Sequence, residues 1–423
     1  PSASVETTTK ESYRRSLVSN QSARLLAAYI YADAGEGEST QDVVYSGHHL
    51  ICENGSVLAE AKRFTNEIIY ADIDVQKLAA ERRKMTSFPG GQTDDYFEQE
   101  FSLEVKENKI TRTFPKAPFV PDNQDERDKR CDEILSLQSM GLKKRLEHTN
   151  CKHAVVGISG GLDSTLAVLV TARAFDKLNL DRKGIIAVTM PGFGTTDRTY
   201  TNAVSMIEKL GCTFKEVNIS EATVLHMNQI EHDINIHDVT YENAQARQRT
   251  YLLMDFANEH NGMVIGTGDM SELALGWATY NGDHMSMYGV NCSVPKTLVR
   301  YLVQFFADTC ENDILKKVLY DVLDTPVSPE LLPPKEGEIA QKTEDLVGPY
   351  ELHDFFLYYT LRLGYGPEKI FRLACVTFEG AYDKKTIAKW LNTFFRRFFA
   401  QQFKRSCLPD GPKVGTVSVS PRG

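Results

Sequence analysis

The chain has 423 residues, long enough for two or three domains. Hydrophobic residues make up 42% and charged residues 25%, the balance of a soluble globular protein. With 48 basic against 57 acidic side chains the net charge is −9, which argues against nonspecific nucleic-acid binding, and no apolar run reaches membrane-spanning length. Eight cysteines lie scattered without a CxxC pair or zinc spacing, which fits reduced thiols and a cytoplasmic location. The first residues are polar with no apolar leader, and proline rather than methionine at position 1 leads us to expect a piece of a longer polypeptide.

Residues 1–115 read as one unit. Ala23, Leu26, Ala27 and Ile30 recur at helical spacing and predict a helix over 12–32. Short apolar runs predict strands at 42–45, 49–52, 57–59 and 68–73, with an Asn54-Gly55 turn among them. A charged helix is expected over 75–85 and a further strand over 101–110. Pro115, Pro118 and Pro121 then break the pattern, so 116–125 is read as a linker and 126–423 as the second domain, opening on a helix over 126–144.

From residue 150 strands and helices alternate: strands at 153–158, 184–190, 213–219 and 262–266, helices at 162–178, 198–210, from 221, and at 242–259. That order predicts an α/β fold, a parallel sheet wrapped by helices on both faces. Ligands of such sheets sit beyond the carboxyl ends of the strands. The loops 157–164, 190–197 and 266–272, rich in Gly, Ser, Thr and Asp, are therefore expected to converge on one crevice.

The first of these loops carries the strongest signal. Gly157, Ile158, Ser159, Gly160, Gly161, Leu162, Asp163 and Ser164 pass from an apolar strand through a tight Gly-Gly turn into a helix, a geometry that aims backbone N–H groups at an anion such as phosphate. No Lys follows the glycines, so this is not the usual nucleoside-triphosphate loop. A carboxylate at Asp163 beside phosphates calls for a hard cation between them, and Mg²⁺ suits that place. Glu272, after the fourth strand, is either the second metal carboxylate or a first-turn partner of the helix dipole. Asn243 and Arg247 share a helix face suited to phosphate or ribose, while Arg249 is expected to face solvent. Trp277 and Tyr280 offer rings for stacking or for core packing. Lys296 and Lys404 are candidate anion contacts, and 394–399 reads as an amphipathic helix with a buried aromatic face. His226, His232 and His237, with Asp233 and Asp238, match no common metal-site spacing.

The string Ser-Gly-Gly-x-Asp-Ser resembles the pyrophosphatase loop of enzymes that split ATP into AMP and pyrophosphate. The stretches GEGESTQDVVYSGH, GISGGLDS, MPGFGTTDRT, ENAQARQR, GTGDMSELALGWATY, VPKTL, DTPVSPELLP and QFKRSCLPDGPKVG together resemble the glutamine-dependent NAD⁺ synthetases. The resemblance implies a partial α/β sandwich of nitrilase-like type, a glutaminase, followed by a doubly wound parallel sheet of the adenine-nucleotide ATP-pyrophosphatase type. It implies a ligase that adenylates deamido-NAD⁺ with ATP and displaces AMP with ammonia from L-glutamine, in a homo-oligomer with neither nucleic-acid nor membrane partners. By the same resemblance, Gly157 through Ser164, Thr267, Lys296 and Ser328 contact ATP, and Asp163 and Glu272 hold Mg²⁺. Asn243, Arg247, Glu272, Trp277, Ala278, Thr279, Tyr280 and Lys404 contact deamido-NAD⁺, and Ser4 and Lys10 contact glutamine. The family's Glu-Lys-Cys triad falls upstream of the segment matched by Ser2, Ala3 and Ser4, so this chain is expected to use ammonia alone. The alternatives are another amidotransferase of the same loop class, of GMP or asparagine synthetase type, or a non-catalytic nucleotide-binding module.

Overall fold

Along the chain the elements are α1 (Lys10–Leu25), β1 (Ala28–Tyr31), β2 (Leu50–Glu53), β3 (Ser56–Glu60), α2 (Val75–Lys84), α3 (Gln124–Thr149), β4 (Ala154–Gly157), α4 (Leu162–Leu178), β5 (Ile185–Thr189), α5 (Asp197–Leu210), β6 (Thr213–Glu216), α6 (Ser220–Gln229), α7 (Val239–Glu259), β7 (Met263–Gly266), α8 (Met270–Leu275), β8 (Tyr288–Gly289), α9 (Lys296–Thr309), α10 (Asp313–Leu323), α11 (Thr343–Val347), α12 (Tyr350–Leu357), α13 (Pro367–Thr377), α14 (Lys384–Ala400) and α15 (Gln402–Ser406). The structure, a computed structural model, describes every residue except 1, 89–95, 98, 105–108, 195, 326–342 and 423. It divides into two units, Pro1–Phe114 with Leu363–Thr377, and Pro115–Arg362 with Phe378–Gly423.

In the first unit α1 packs on an antiparallel sheet of order β1-β2-β3, with Val18, Leu50 and Cys52 at its core. The helix expected over 12–32 stops at Leu25. Leu26 turns to φ 44°, its N–H bonds back into the last turn, and Ala28–Tyr31 pairs with β2 instead. The aromatic and β-branched Tyr-Ile-Tyr favours a strand, and that preference wins over the helical spacing of Ala27 and Ile30. Residues 42–45 and 68–73 form no strand: Val44, Ile68 and Tyr70 stay largely exposed, so no sheet face demands them. No strand forms among the described residues of 101–110 either. Helix α13 joins this unit through Lys369, whose Nζ lies 2.6 Å from Asp74 Oδ1, and through the Tyr365 hydroxyl, which donates to the same carboxylate.

The second unit is built on a parallel sheet of order β6-β5-β4-β7-β8. Alternate residues of its central strands feed two separate cores. Ala154, Val156, Ile185, Ala187, Met263 and Ile265 point to one face, where α3, α4, α5, α9 and α10 pack. Val155, Ile186, Val188 and Val264 point to the other, against Leu252, Leu253 and Phe256 of α7. A strand buried on both faces must be apolar at every position, which is why these runs showed no polar alternation. Strand β8 escaped the sequence because only Tyr288 and Gly289 pair, beside Ile265 and Gly266.

Candidate active site at the strand carboxyl ends

In the order β6-β5-β4-β7-β8 the first and fourth strands of the unit are neighbours, and the chain runs from β4 to β5 toward one edge of the sheet and from β7 to β8 toward the other. A crevice opens at such a switch point beyond the strand ends. The loops after β4 and β7 border it, lining a cavity of about 510 Å³. Gly160 makes the first loop possible. Its φ is +86°, and a Cβ there would lie 2.2 Å from the Thr199 carbonyl oxygen of α5. The loop hydroxyls close on themselves: Gly161 N–H donates to Ser159 Oγ at 3.2 Å, and Ser164 Oγ–H donates to the Gly161 carbonyl at 3.1 Å. A buried strap joins the two loops. Asn291 Nδ2 donates to the Asp163 carbonyl at 2.9 Å and the Thr267 carbonyl at 3.0 Å, while its Oδ1 accepts from Gln138 Nε2 at 3.1 Å. Asn291→Ala removes all three hydrogen bonds of the strap, leaving Gln138 Nε2 only the Val290 carbonyl at 2.9 Å, so urea unfolding of this variant is expected to show a loss of about 2–4 kcal/mol. Full wild-type stability would remove the strap from the account.

Three carboxylates meet where the loops meet. Oxygens of Asp163, Asp269 and Glu272 lie within 4.8 Å of one another. Asp269 caps α8, accepting from Glu272 N–H at 2.9 Å through Oδ1, which turns its other oxygen inward. Lys296 fills the focus: its Nζ stands 2.6 Å from Asp163 Oδ2, 2.6 Å from Asp269 Oδ2 and 3.0 Å from Glu272 Oε1. The Lys296 side chain is 5% exposed, whereas Glu272 keeps 20%, at the cavity wall. Burial, then the Asp163 charge, pushes the Glu272 carboxyl up to about 7 against the pull of Lys296. Burial raises Asp269 well above the usual carboxylate range too. For Lys296, burial favours the neutral amine, but the three carboxylates outweigh it and hold the ammonium well above its ordinary pKa. Hard oxygen donors at this spacing suit Mg²⁺, and Asp163 Oδ1 is buried with no hydrogen-bond partner among the described residues.

Helix α12 fixes this cluster from behind. The Ser271 hydroxyl donates to Asp354 Oδ1, Thr297 donates through N–H at 2.9 Å and Oγ1–H at 2.6 Å to Asp354 Oδ2, and Lys296 N–H donates to Ser271 Oγ at 2.8 Å. The neighbouring His353 is buried beside Phe394. Its Nε2–H donates to the Val347 carbonyl at 2.6 Å, and Nδ1 is buried without a partner among the described residues. Burial pushes its pKa down from 6.5 to about 4. Below pH 6.5 the unfolded chain therefore binds a proton that the folded one refuses, so stability falls as pH drops from 6.5 toward 4, by up to about 3 kcal/mol. Urea midpoints at pH 7 and pH 4.5 should show this slope, and His353→Gln should flatten it. An unchanged slope in the variant would contradict the assignment.

The opposite wall comes from α7 and the segment after α8. Asn243 faces the cavity, and its Oδ1 accepts from Thr279 Oγ1 at 2.7 Å. Trp277 and Ala278 line the same wall, with the Arg397 guanidinium 5.1 Å from the Trp277 ring. Lys404 Nζ donates to the carbonyls of Gly276 at 2.9 Å and Ala278 at 2.6 Å, so it holds the backbone that presents them.

Of the predicted residues, Gly157, Ile158, Ser159, Asp163, Ser164, Thr267, Glu272, Asn243, Trp277, Ala278, Thr279 and Lys404 all border this cavity. Gly160, Gly161, Leu162, Lys296 and Tyr280 are not among its lining residues, although the Tyr280 ring centroid lies 5.0 Å from that of His284, a cavity residue. Arg247 is exposed and donates to the Tyr280 carbonyl at 3.3 Å, whereas Arg249, expected to face solvent, lines the cavity. Asn243, Ala246 and Thr250 set the inward stripe of α7, and Arg249 lies on its flank at about 100° per residue. Among the described residues of the loop 190–197 only Met190 and Pro191 line the cavity, and Thr196 caps α5. Ser328 lies outside the described residues. In the first unit Ser4 N–H donates to Asp33 Oδ1 at 2.9 Å, within a buried knot around Arg14, and Lys10 opens α1. Asp269, Asn291, Asp354 and Arg397 were missed. Asp269-x-x-Glu272 has the form of a capping box, the one signal that pointed to Asp269.

An anion-binding turn beside a cluster of hard oxygen ligands, both at a switch point, marks an α/β protein of the nucleotide-binding class. The match to known proteins narrows it: the NAD synthase model fits residues 134–359, over half of the chain, and the chain belongs to that family. It is 41% identical, over 97% of its length, to a glutamine-dependent NAD(+) synthetase of Mycobacterium leprae, and 40% identical over 97% to one of Mycobacterium tuberculosis. It spans 65% of the length of these curated relatives. A crystal structure of a glutamine-dependent NAD(+) synthetase from Cytophaga hutchinsonii shares the fold, with a TM-score of 0.58 and 22% identity over 100% of this chain and 66% of that one. Among the described residues no helix is long and apolar enough to cross a membrane.

Proposed function

We propose that the second unit catalyses ATP-dependent amidation of deamido-NAD⁺ to NAD⁺, releasing AMP and pyrophosphate. The observation that carries this reading is one cavity bordered both by the Ser-Gly-Gly loop with Asp163 and Glu272 and by Asn243, Trp277 and Thr279. One wall suits a triphosphate, the other a nucleotide base or pyridine ring. The loop N–H groups and the α4 N-terminus bind and orient the ATP phosphates. Asp163 and Glu272, with Asp269 beside them, would hold Mg²⁺, which supplies charge neutralisation of the phosphates when bound. The nicotinate carboxylate attacks the α-phosphorus, the bond between that phosphorus and the α,β-bridging oxygen breaks, and pyrophosphate leaves with the bridging oxygen. Ammonia then attacks the acyl carbon, loses a proton, and AMP departs with the carboxylate oxygen. Asn243, Thr279 and the stretch of backbone held by Lys404 position the dinucleotide.

The first unit is proposed to be part of a glutaminase half, with glutamine as the source of ammonia, as in the relatives named for it. The test supplies Mg-ATP, deamido-NAD⁺ and either ammonium or glutamine to the chain and measures NAD⁺, AMP and pyrophosphate. Equimolar products with ammonium support the reading. ATP that is bound and retained without pyrophosphate release would make the chain a nucleotide-binding module instead.

A further inference from the structure

Lys296 is the second unit's least expected feature. A buried lysine ordinarily pairs with one carboxylate, yet its Nζ touches three, Asp163, Asp269 and Glu272, at 2.6, 2.6 and 3.0 Å. One ammonium shared among three carboxyl groups is an uneven match for a structural ion pair in a low-dielectric site. The lysine also sits at the first position of α9, directly after its Pro295 cap, where the helix dipole disfavours a cation. Its backbone is pinned, through Lys296 N–H on Ser271 Oγ and Thr297 on Asp354. The four-carbon stem is therefore the part free to move, and Tyr350 gives the ammonium a ring face 5.3 Å away.

We infer that Lys296 is a resident counter-ion: its ammonium holds the Asp163, Asp269 and Glu272 carboxylates together in the metal-free protein, at the common focus of the oxygens a divalent cation would share, and is displaced when that cation binds. The exchange swaps one cation for another on the same oxygens, so the cluster keeps its shape whether or not nucleotide is present. It also suppresses binding of free metal, so that the cation enters with the phosphates that accompany it. The inference rests on the metal role proposed above for the cluster, but not on the identity of the reaction.

The test measures Mn²⁺ alone, without nucleotide, by electron paramagnetic resonance of free Mn²⁺ in the full chain. Lys296→Met and the more conservative Lys296→Gln are expected to bind one Mn²⁺ at least about tenfold more tightly than wild type, because a positive charge has left the site. Asp163→Asn in either background should abolish the gain, and Lys296→Arg should keep the weak wild-type affinity. Thermal melting gives a second readout: millimolar Mg²⁺ should raise the melting temperature of the two neutral variants and leave wild type unchanged. Equal or weaker Mn²⁺ binding by both neutral variants, a gain that survives Asp163→Asn, or a loss of fold that Mg²⁺ does not restore would each overturn the inference. Since neither ATP nor deamido-NAD⁺ is present, a chain that makes no NAD⁺ but passes this test would sink the proposed reaction and spare the counter-ion.

Discussion

Asp163→Asn is expected to lower the ammonium-driven rate of AMP formation by about 10³-fold, near 4 kcal/mol of barrier. The substitution keeps the shape of the side chain and removes its charge. Oδ2 then loses its ion pair with Lys296 at 2.6 Å, and Oδ1, buried and without a hydrogen-bond partner among the described residues, is no longer an anionic ligand. Stability should change little, by under about 1 kcal/mol, because Asp269 and Glu272 still neutralise the ammonium and one like charge has gone from a crowded cluster. A large loss of rate with a preserved melting curve separates a role in the reaction from a role in the fold. A variant that turns over within fivefold of wild type would remove Asp163 from the chemistry. Paired measurements of kcat for AMP release and of the urea midpoint decide it.

Gly160→Ala carries the second large effect, through the backbone. At φ +86° an L-residue with a Cβ costs about 1–2 kcal/mol. The added methyl would also stand 2.2 Å from the Thr199 carbonyl oxygen and 2.9 Å from its carbon, and helix backbone cannot step aside as a side-chain tip does. Together these predict a destabilisation of about 2–4 kcal/mol, or a loop displaced from α5. Either way the N–H groups lose their aim and the KM for ATP rises. Urea unfolding and ATP titration read the two consequences. Wild-type values in both would show that the turn tolerates another backbone path.

These two residues sit in the stretch that was easiest to read. An apolar run, a Gly-Gly turn and a helical pattern are all local, and the structure places β4, the loop and α4 within a residue or two of the expected bounds. The parallel sheet was legible for the same reason, because strands buried on both faces are uniformly apolar. What failed was decided by tertiary contact. Residues 28–31 became a strand because β2 was there to pair with, and 42–45 stayed irregular because no partner strand was. Nothing in the composition of Leu363–Thr377 marks it as a member of the first unit.

The site divides along the same line. Asp163 and Glu272 each stood next to a recognisable turn. Asp354 lies 83 residues beyond Ser271 and reaches it only through packing of α12. Lys296 alone looks like any surface lysine. The structure places it at the start of a helix, where a cation is disfavoured, and that position becomes intelligible only once three carboxylates are seen to receive it.

The most direct measurement follows an oxygen atom. Deamido-NAD⁺ labelled with ¹⁸O in its nicotinate carboxylate, turned over by this chain with Mg-ATP and ammonium, should deliver one label into AMP and none into pyrophosphate, because the labelled oxygen attacks the α-phosphorus and leaves with it. Label that appears in inorganic phosphate, alongside ADP, or that stays wholly out of AMP while NAD⁺ forms, would mean that the loop and the carboxylate cluster do not activate the substrate in this way.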